Sequence, residues 1–330
     1  MRMREFVKPT VVVSKCITFE NVRWNAQIIA SDFVEKLKPF VNFIPVCPEV
    51  QIGLGIPRDP LRIVLIDGVK RLMQPATGSD FTDKMQNFAE SYLNSLGEVD
   101  GFILKSGSPS CGFKNVKIYP TIEKSASIAK GPGFFGGAVI EKFPNLAIED
   151  EKRLQNLRIR THFLTKIYTL ASFRRVKESN SIKELVKFHS ENKMLLTACN
   201  QKELRILGRV VANQEKKPFD QLIQIYQTHL FSAIRRPPSI RTNINVMMKV
   251  MGYFSKQLTK EEKQFFLYLL QKYRIGKASL GTCLSVLKSW VIRFRDEYLM
   301  HQTFFEPFPD ELIQVDISEA ESNEKDYWKD

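Results

Sequence analysis

Apolar residues repeat in two different ways along this 330-residue chain, and the change between them near Leu154 divides it. Before that point, short β-rich runs at 10–13, 43–46, 62–66 and 99–104 alternate with helical patterns at 32–40 and 82–96. Strands alternating with helices predict βαβ units, hence a mostly parallel sheet with flanking helices. After it, strand signals fade. A helix over 154–176 is followed by helical periods to residue 305, with helix-start signatures at Ser181-x-x-Glu184 and Thr259-x-x-Glu262. The reading is therefore an α/β domain over 1–150, a junction helix over 151–180, a second, all-α domain over 181–309, and an acidic tail over 310–330. No internal repeat accompanies this division.

Composition excludes several classes. With 43% hydrophobic and 26% charged residues the chain is neither disordered nor collagenous. The longest apolar runs, near 11–13 and 63–66, are strand-sized and far short of a membrane span. The basic N-terminus (Arg2, Arg4, Lys8) leads into Pro9 with no signal-peptide core, so a cytoplasmic protein without membrane association is expected. The net charge is +13, distributed as +9 over 1–177, +10 over 178–309 and −6 over 310–330. Two basic bodies fit a polyanionic partner, since surface Lys and Arg displace phosphate counterions. Oligomeric state is not encoded in these patterns.

Three of five cysteines share one context. Cys16, Cys47 and Cys111 each fall just past the end of a predicted strand, separated by 31 and 64 residues. In a parallel sheet those loops open on one edge, where sites form. Disulfides are disfavoured in a reducing compartment, and structural zinc wants four ligands with C-x-x-C spacing that is absent here. Three thiols could be buried small hydrophobes. They could equally hold an iron–sulfur cluster, leaving a four-iron core one iron without a protein ligand. Cys199 and Cys283 lie on apolar helical stretches and read as core thiols, and His162, His189, His229 and His301 lack metal-ligand spacing. The run Gly131–Gly137 reads as close packing in preference to a phosphate cradle.

The flanking residues are more specific. Ser14-Lys15-Cys16 with Val22-Arg23, Pro45-Val46-Cys47-Pro48-Glu49 with Gly53-Leu54-Gly55-Ile56-Pro57-Arg58, and Ser108-Pro109-Ser110-Cys111-Gly112 resemble the motif set of the thiouracil desulfidase family. The glycine run, Phe143-Pro144 and Glu149 to Leu154 extend the resemblance over about residues 8–175. The second half, through Leu207-Gly208-Arg209-Val210-Val211-Ala212, Met251-Gly252-Tyr253-Phe254 and Tyr273-Arg274-Ile275-Gly276, resembles the YbgA-like helical domain. Together they resemble two-domain desulfidases of 4-thiouridine in tRNA. Departures occur at Ile17-Thr18-Phe19 and Trp24-Asn25-Ala26, where the family has Leu-Gly and Tyr-Asp-Gly, and at Cys199 and Asn243, where relatives carry His.

The resemblance implies a 4Fe-4S cluster with three cysteine ligands, Cys16, Cys47 and Cys111, and one open iron to bind the substrate sulfur. It implies Glu49 as general base for water and Ser108 as a catalytic hydroxyl that relays a proton or holds the ring. Ser110 reads as a turn former, and Arg58 as an ion-pair partner within the fold. The implied reaction is a non-redox hydrolysis of C=S to C=O with release of sulfide. The alternatives are a desulfidase of free thiouracil or thiouridine, and a non-enzymatic iron–sulfur RNA-binding protein.

Overall fold

Val11, Val12 and Val13 are completely buried, which an alternating strand achieves only in a sheet covered on both faces. The structure, a computed structural model, describes residues 5–313. Its first half comprises β1 (Thr10–Ser14), α1 (Asp32–Leu37), β2 (Asn42–Val46), α2 (Pro48–Gln51), β3 (Arg62–Ile66), β4 (Val69–Gln74), β5 (Ser79–Asp80), α3 (Thr82–Ser95), β6 (Gly101–Leu104), β7 (Val116–Tyr119), β8 (Ala129–Gly131), α4 (Phe134–Lys142) and β9 (Ala147–Asp150). Strands β2-β1-β6-β9 form one sheet, parallel throughout. On one face, Val11 and Val13 pack with Phe33, Val34 and Leu37 of α1 and with α5 (Leu157–Ser179). On the other, Val12 and Phe102 pack with Met85, Ala89 and Leu93 of α3 and Val139 of α4. Helix α5 lies so close to β6 that a Cβ on Gly101 would stand 2.9 Å from the Ile167 side chain and 2.7 Å from the Ala147 carbonyl.

The run 62–66 is a strand, but it belongs to a second sheet, β5-β4-β3-β7-β8, in which only β3 and β7 are parallel. Its hairpin partner β4 follows Asp67 and Gly68, both with positive φ (48° and 77°), as a two-residue hairpin loop requires. Sequence reading passed over that Asp-Gly signal, and with it β4, β5, β7, β8 and β9. The expected helix over 32–40 ends at Leu37, and the junction helix starts three residues late because Asn156 caps it, accepting from Ile159 N–H.

From α5 onward the described chain is helical: α6 (Ile182–Glu191), α7 (Lys193–Cys199), α8 (Gln201–Ala212), α9 (Phe219–Ala233), α10 (Ile240–Tyr253), α11 (Lys260–Arg274), α12 (Leu280–Phe294) and α13 (Glu297–Met300). Thr259 and Glu262 form the full reciprocal capping box. At Ser181 only the hydroxyl half is made, and a second box, Ser239 with Thr242, was not anticipated. The C-terminal half of α5 (Leu170, Phe173, Val176) packs into the core of α6, α8 and α9. Its N-terminal half packs against the parallel sheet. Of the acidic segment read as a tail, Leu312 is buried with Phe308 in the α/β core, whereas 314–330, like Arg2 and Arg4, lie outside the described residues. Among the described residues no helix is long and apolar enough to cross a membrane.

Candidate active site

Because β2, β1 and β6 are parallel neighbours, their carboxyl ends lie side by side, and the three cysteines follow them. Cys16 sits in the turn after β1, where Lys15 N–H donates to Val46 C=O of β2 (2.8 Å) and Ile29 N–H to Cys16 C=O (2.8 Å). Cys47 is the residue before α2, with Pro48 at the first helical position, where a missing N–H costs nothing. Cys111 closes a loop after β6 that is organised by Ser108, whose Oγ accepts from Cys111 N–H (3.0 Å) and Ser110 N–H (3.2 Å). The start of α4 docks on the same loop. Gly133 N–H donates to Gly112 C=O (2.7 Å), Phe134 N–H to Pro109 C=O (3.0 Å) and Gly136 N–H to Ser110 C=O (3.0 Å). Three N–H groups at this helix start are thus taken up by the Cys111 loop, and Cβ atoms at Gly133 and Gly136 would meet loop carbonyls at 2.5–2.7 Å, so Gly131–Gly137 acts through close packing.

Cys16, Cys47, Cys111, Glu49 and Ser108 all line one cavity of about 210 Å³. The Glu49 side chain, 13% exposed, is held at both oxygens. Arg58 donates twice to Oε2, from Nε (2.9 Å) and Nη2 (2.7 Å), and Ser110 Oγ donates to Oε1 (2.8 Å). Arg58 is anchored in turn on the carbonyls of Gly55 (3.1 Å) and Val22 (3.0 Å). The expected ion-pair role of Arg58 is observed. Ser108 lines the cavity and accepts from the backbone of its loop, and the completely buried Ser110, read as a turn former, bonds the carboxylate. A second network closes the edge. Lys105 Nζ donates to Glu151 Oε1 (2.9 Å), and Ser106 donates to Glu151 from both N–H and Oγ (2.8 Å each). Burial would push the Glu151 carboxyl up, but these bonds outweigh it and hold it below the ordinary range.

Burial pushes the Cys16 thiol up to about 12, and the neighbouring Cys47 adds to the shift. Cys47 is raised by burial too, and Cys111 is raised well above the ordinary thiol range by burial, then by Cys16 and Cys47. Cys16 thus senses the charge of Cys47, Cys111 senses both, and all three are free. Among the described residues no three His, Cys, Asp or Glu side chains gather closely enough to hold a single metal ion. Two features went unread in the sequence. The Ser110–Glu49 bond spans 61 residues, and the Lys105–Glu151 pair joins a lysine just before the Ser108 motif to a carboxylate within the 149–154 stretch, with no spacing that announces it.

Elsewhere the plainer readings hold. Cys283 is completely buried, and Cys199 packs against the same core. Asn243 donates to Tyr273 Oη (3.1 Å). Phe163, Tyr168 and Phe173 of α5 are core residues, each 2% exposed, and Arg160, Lys166 and Arg174 are engaged by Leu154 C=O, Leu146 C=O and Asp100. Arg158, Arg175, Arg205, Arg209, Arg235, Arg236 and Arg241 are exposed.

A family model described as 2-thiouracil desulfurase matches residues 11–151, and one described as a protein of unknown function (DUF1722) matches residues 193–309. An uncharacterized protein of Escherichia coli (strain K12), YbgA, is 30% identical over 148 residues, 44% of this chain and 88% of that protein. Another of Bacillus subtilis (strain 168), YbbK, is 30% identical over 110 residues, 31% of this chain and 72% of that protein. Among solved structures, a 4Fe-4S-dependent thiouracil desulfidase, TudS, is 29% identical with a TM-score of 0.37, covering 45% of this chain and 94% of that one.

Proposed function

The chain belongs to the 2-thiouracil desulfurase family, an enzyme family, in combination with a DUF1722 region, and from that premise we propose that it hydrolyses 4-thiouridine in tRNA. Thiouridine and water give uridine and sulfide, with no net electron transfer. One observation carries the reading: three free thiols and a fixed carboxylate share one cavity at the carboxyl edge of a parallel sheet. The donor set suits an iron–sulfur core. Three soft thiols line one cavity, and Cys47 lies near enough to raise the pKa of both Cys16 and Cys111. Cys16, Cys47 and Cys111 would hold a 4Fe-4S cluster as thiolates, and the positive charges of Lys105, Arg23 and Arg58 nearby favour that form. When bound, the cluster supplies a Lewis-acidic, sulfur-seeking iron with no protein ligand.

The remaining work falls to the chain. Arg58 holds Glu49 Oε2 on two bonds, so Oε1 is the oxygen that takes a proton from water, with Ser110 Oγ beside it. Ser108 keeps Cys111 in place through the loop backbone. Residues 1–150 carry the chemistry, 181–309 hold the RNA, and 151–180 join them. The exposed arginines of the helical region support a tRNA partner, because each phosphate neutralised releases counterions.

The deciding experiment reconstitutes the full chain anaerobically with iron and sulfide. Thiolated tRNA and free 4-thiouracil are then assayed side by side for loss of thiocarbonyl absorbance. Turnover of tRNA, with binding that weakens steeply as salt rises, is the expected result. Turnover of the free base alone would move the assignment to a thiouracil desulfidase, and turnover of neither would end it.

A further inference from the structure

A cavity of about 360 Å³ lies where the α/β body meets the helical region, at the edge of the parallel sheet opposite the cysteines. The α/β body lines it with the links that precede β6 and β9, among them Phe143 and Leu146, whereas the cysteines follow their strands. Helix α5 contributes Leu170 and Phe173, and α9 contributes Gln227 and Phe231. A concave, ring-lined space of this size with a few polar groups, set between two bodies, is the usual form of a small-molecule site.

Its charges do not cancel. Both carboxylates in the lining are matched, Glu98 by Lys177 and Asp100 by Arg174 (3.0 Å). Lys142 contacts the neutral Asn94 side-chain oxygen and stands over the Phe143 ring, 6.0 Å from its centroid. It has no carboxylate partner among the described residues. Asn145 and Gln227 make no side-chain hydrogen bond among the described residues either, and each amide offers donors and an acceptor. One unmatched ammonium, two free amides and aromatic walls suit a ring that carries a single carboxylate. The ring packs against Phe143 and Phe231, and the carboxylate accepts from Lys142 and the amide N–H groups. A cation would oppose Lys142, and a dianion would leave one charge unmatched. The volume is the liquid share of about twelve waters at roughly 30 Å³ each, which is room for one or two fused rings.

We propose that this junction cavity binds a small aromatic monocarboxylate, with Lys142 as its counter-ion and Gln227 holding it from the helical side. Such a ligand touches both bodies at once, so it binds only their docked arrangement and stabilises it by mass action. The site is independent of the desulfidase reading, and neither iron nor turnover enters its test.

Indole-3-carboxylate, the neutral indole-3-carboxamide and the cationic indole-3-methanamine are titrated into the full chain and followed by ligand-observed NMR. The carboxylate is expected to bind in the millimolar range or tighter, about tenfold more tightly than the carboxamide, with the cation weakest. Lys142→Ala, at an exposed position, should erase that tenfold difference and leave the carboxamide affinity as it was. Gln227→Leu should weaken both ligands severalfold. Phe231→Trp, which extends a half-buried ring into the cavity, should abolish both. Saturating carboxylate should also raise the thermal unfolding midpoint of the unaltered chain. Equal affinity for carboxylate and carboxamide, or carboxylate binding that ignores Lys142→Ala, overturns the proposal. Binding that survives Phe231→Trp does the same, since the carboxylate would then sit elsewhere, on the exposed arginines or in the thiol-lined cavity. Should Phe231→Trp fail to fold, the two surface variants decide the matter alone.

Discussion

Adding one methyl group at Gly136 should displace the Cys111 loop. A Cβ built there would stand 2.5 Å from the Cys111 and Gly112 carbonyl oxygens and 2.6 Å from Gly112 C, all of them backbone atoms that no rotamer change can move. Relief requires α4 to withdraw by nearly 1 Å. That breaks or stretches three hydrogen bonds, from Gly133, Phe134 and Gly136 N–H to the loop, worth about 1 kcal/mol each. Replacing Gly by Ala in a helix returns about 1 kcal/mol of propensity. The net loss expected for Gly136→Ala is therefore about 2 kcal/mol. Gly137→Ala is the internal control. Its Cβ would meet Pro132 at an ordinary 3.5 Å, so the propensity gain acts alone and the variant should be neutral or more stable by about 0.5–1 kcal/mol. Urea unfolding midpoints separate the two, and thiol titration of the folded apo-chain should show one cysteine made reactive only in Gly136→Ala. Equal stability and equal thiol reactivity in both variants would refute the packing argument.

Other outcomes follow from the same contacts. Glu49→Gln should reduce sulfide release at least about a hundredfold while leaving iron content and visible absorption unchanged; retained activity would remove Glu49 as the base. Ser110→Ala should lower turnover about tenfold by freeing Glu49 Oε1, and a milder effect than that of Ser108→Ala on kcat at equal iron content would contradict its placement. Burial holds His162 and His189 near a pKa of about 4, with Lys166 and Lys193 respectively adding to the depression. Unfolded, both titrate near 6.5. The unfolded chain thus binds more protons between these values, so their stabilising contribution is full above about pH 6.5 and is lost as pH falls towards 4. Urea midpoints should drop over that window, and His189→Gln should flatten the drop; a slope unchanged by the variant would show that carboxylates alone govern it.

Much of this was legible without coordinates. The alternation of β-rich runs and helical periods gives an α/β body followed by helices, and the cysteines stand just past strands in the sequence itself, since side-chain period and turn chemistry are local properties. Periodicity tells which face of a strand is buried but not which strand lies beside it. Only tertiary pairing made β1, β2 and β6 adjacent, and so turned three scattered residues into one wall. The same pairing drew Arg62–Ile66 away into a separate sheet. The bond from Ser110 to Glu49 was equally out of reach: two hydroxyls two residues apart have the same chemistry, and which one meets a carboxylate 61 residues away depends on how α2 and the Cys111 loop are docked. The sequence supplied the reactive groups and their local conformations; long-range packing, driven by burial of the two sheet faces, decided which of them touch.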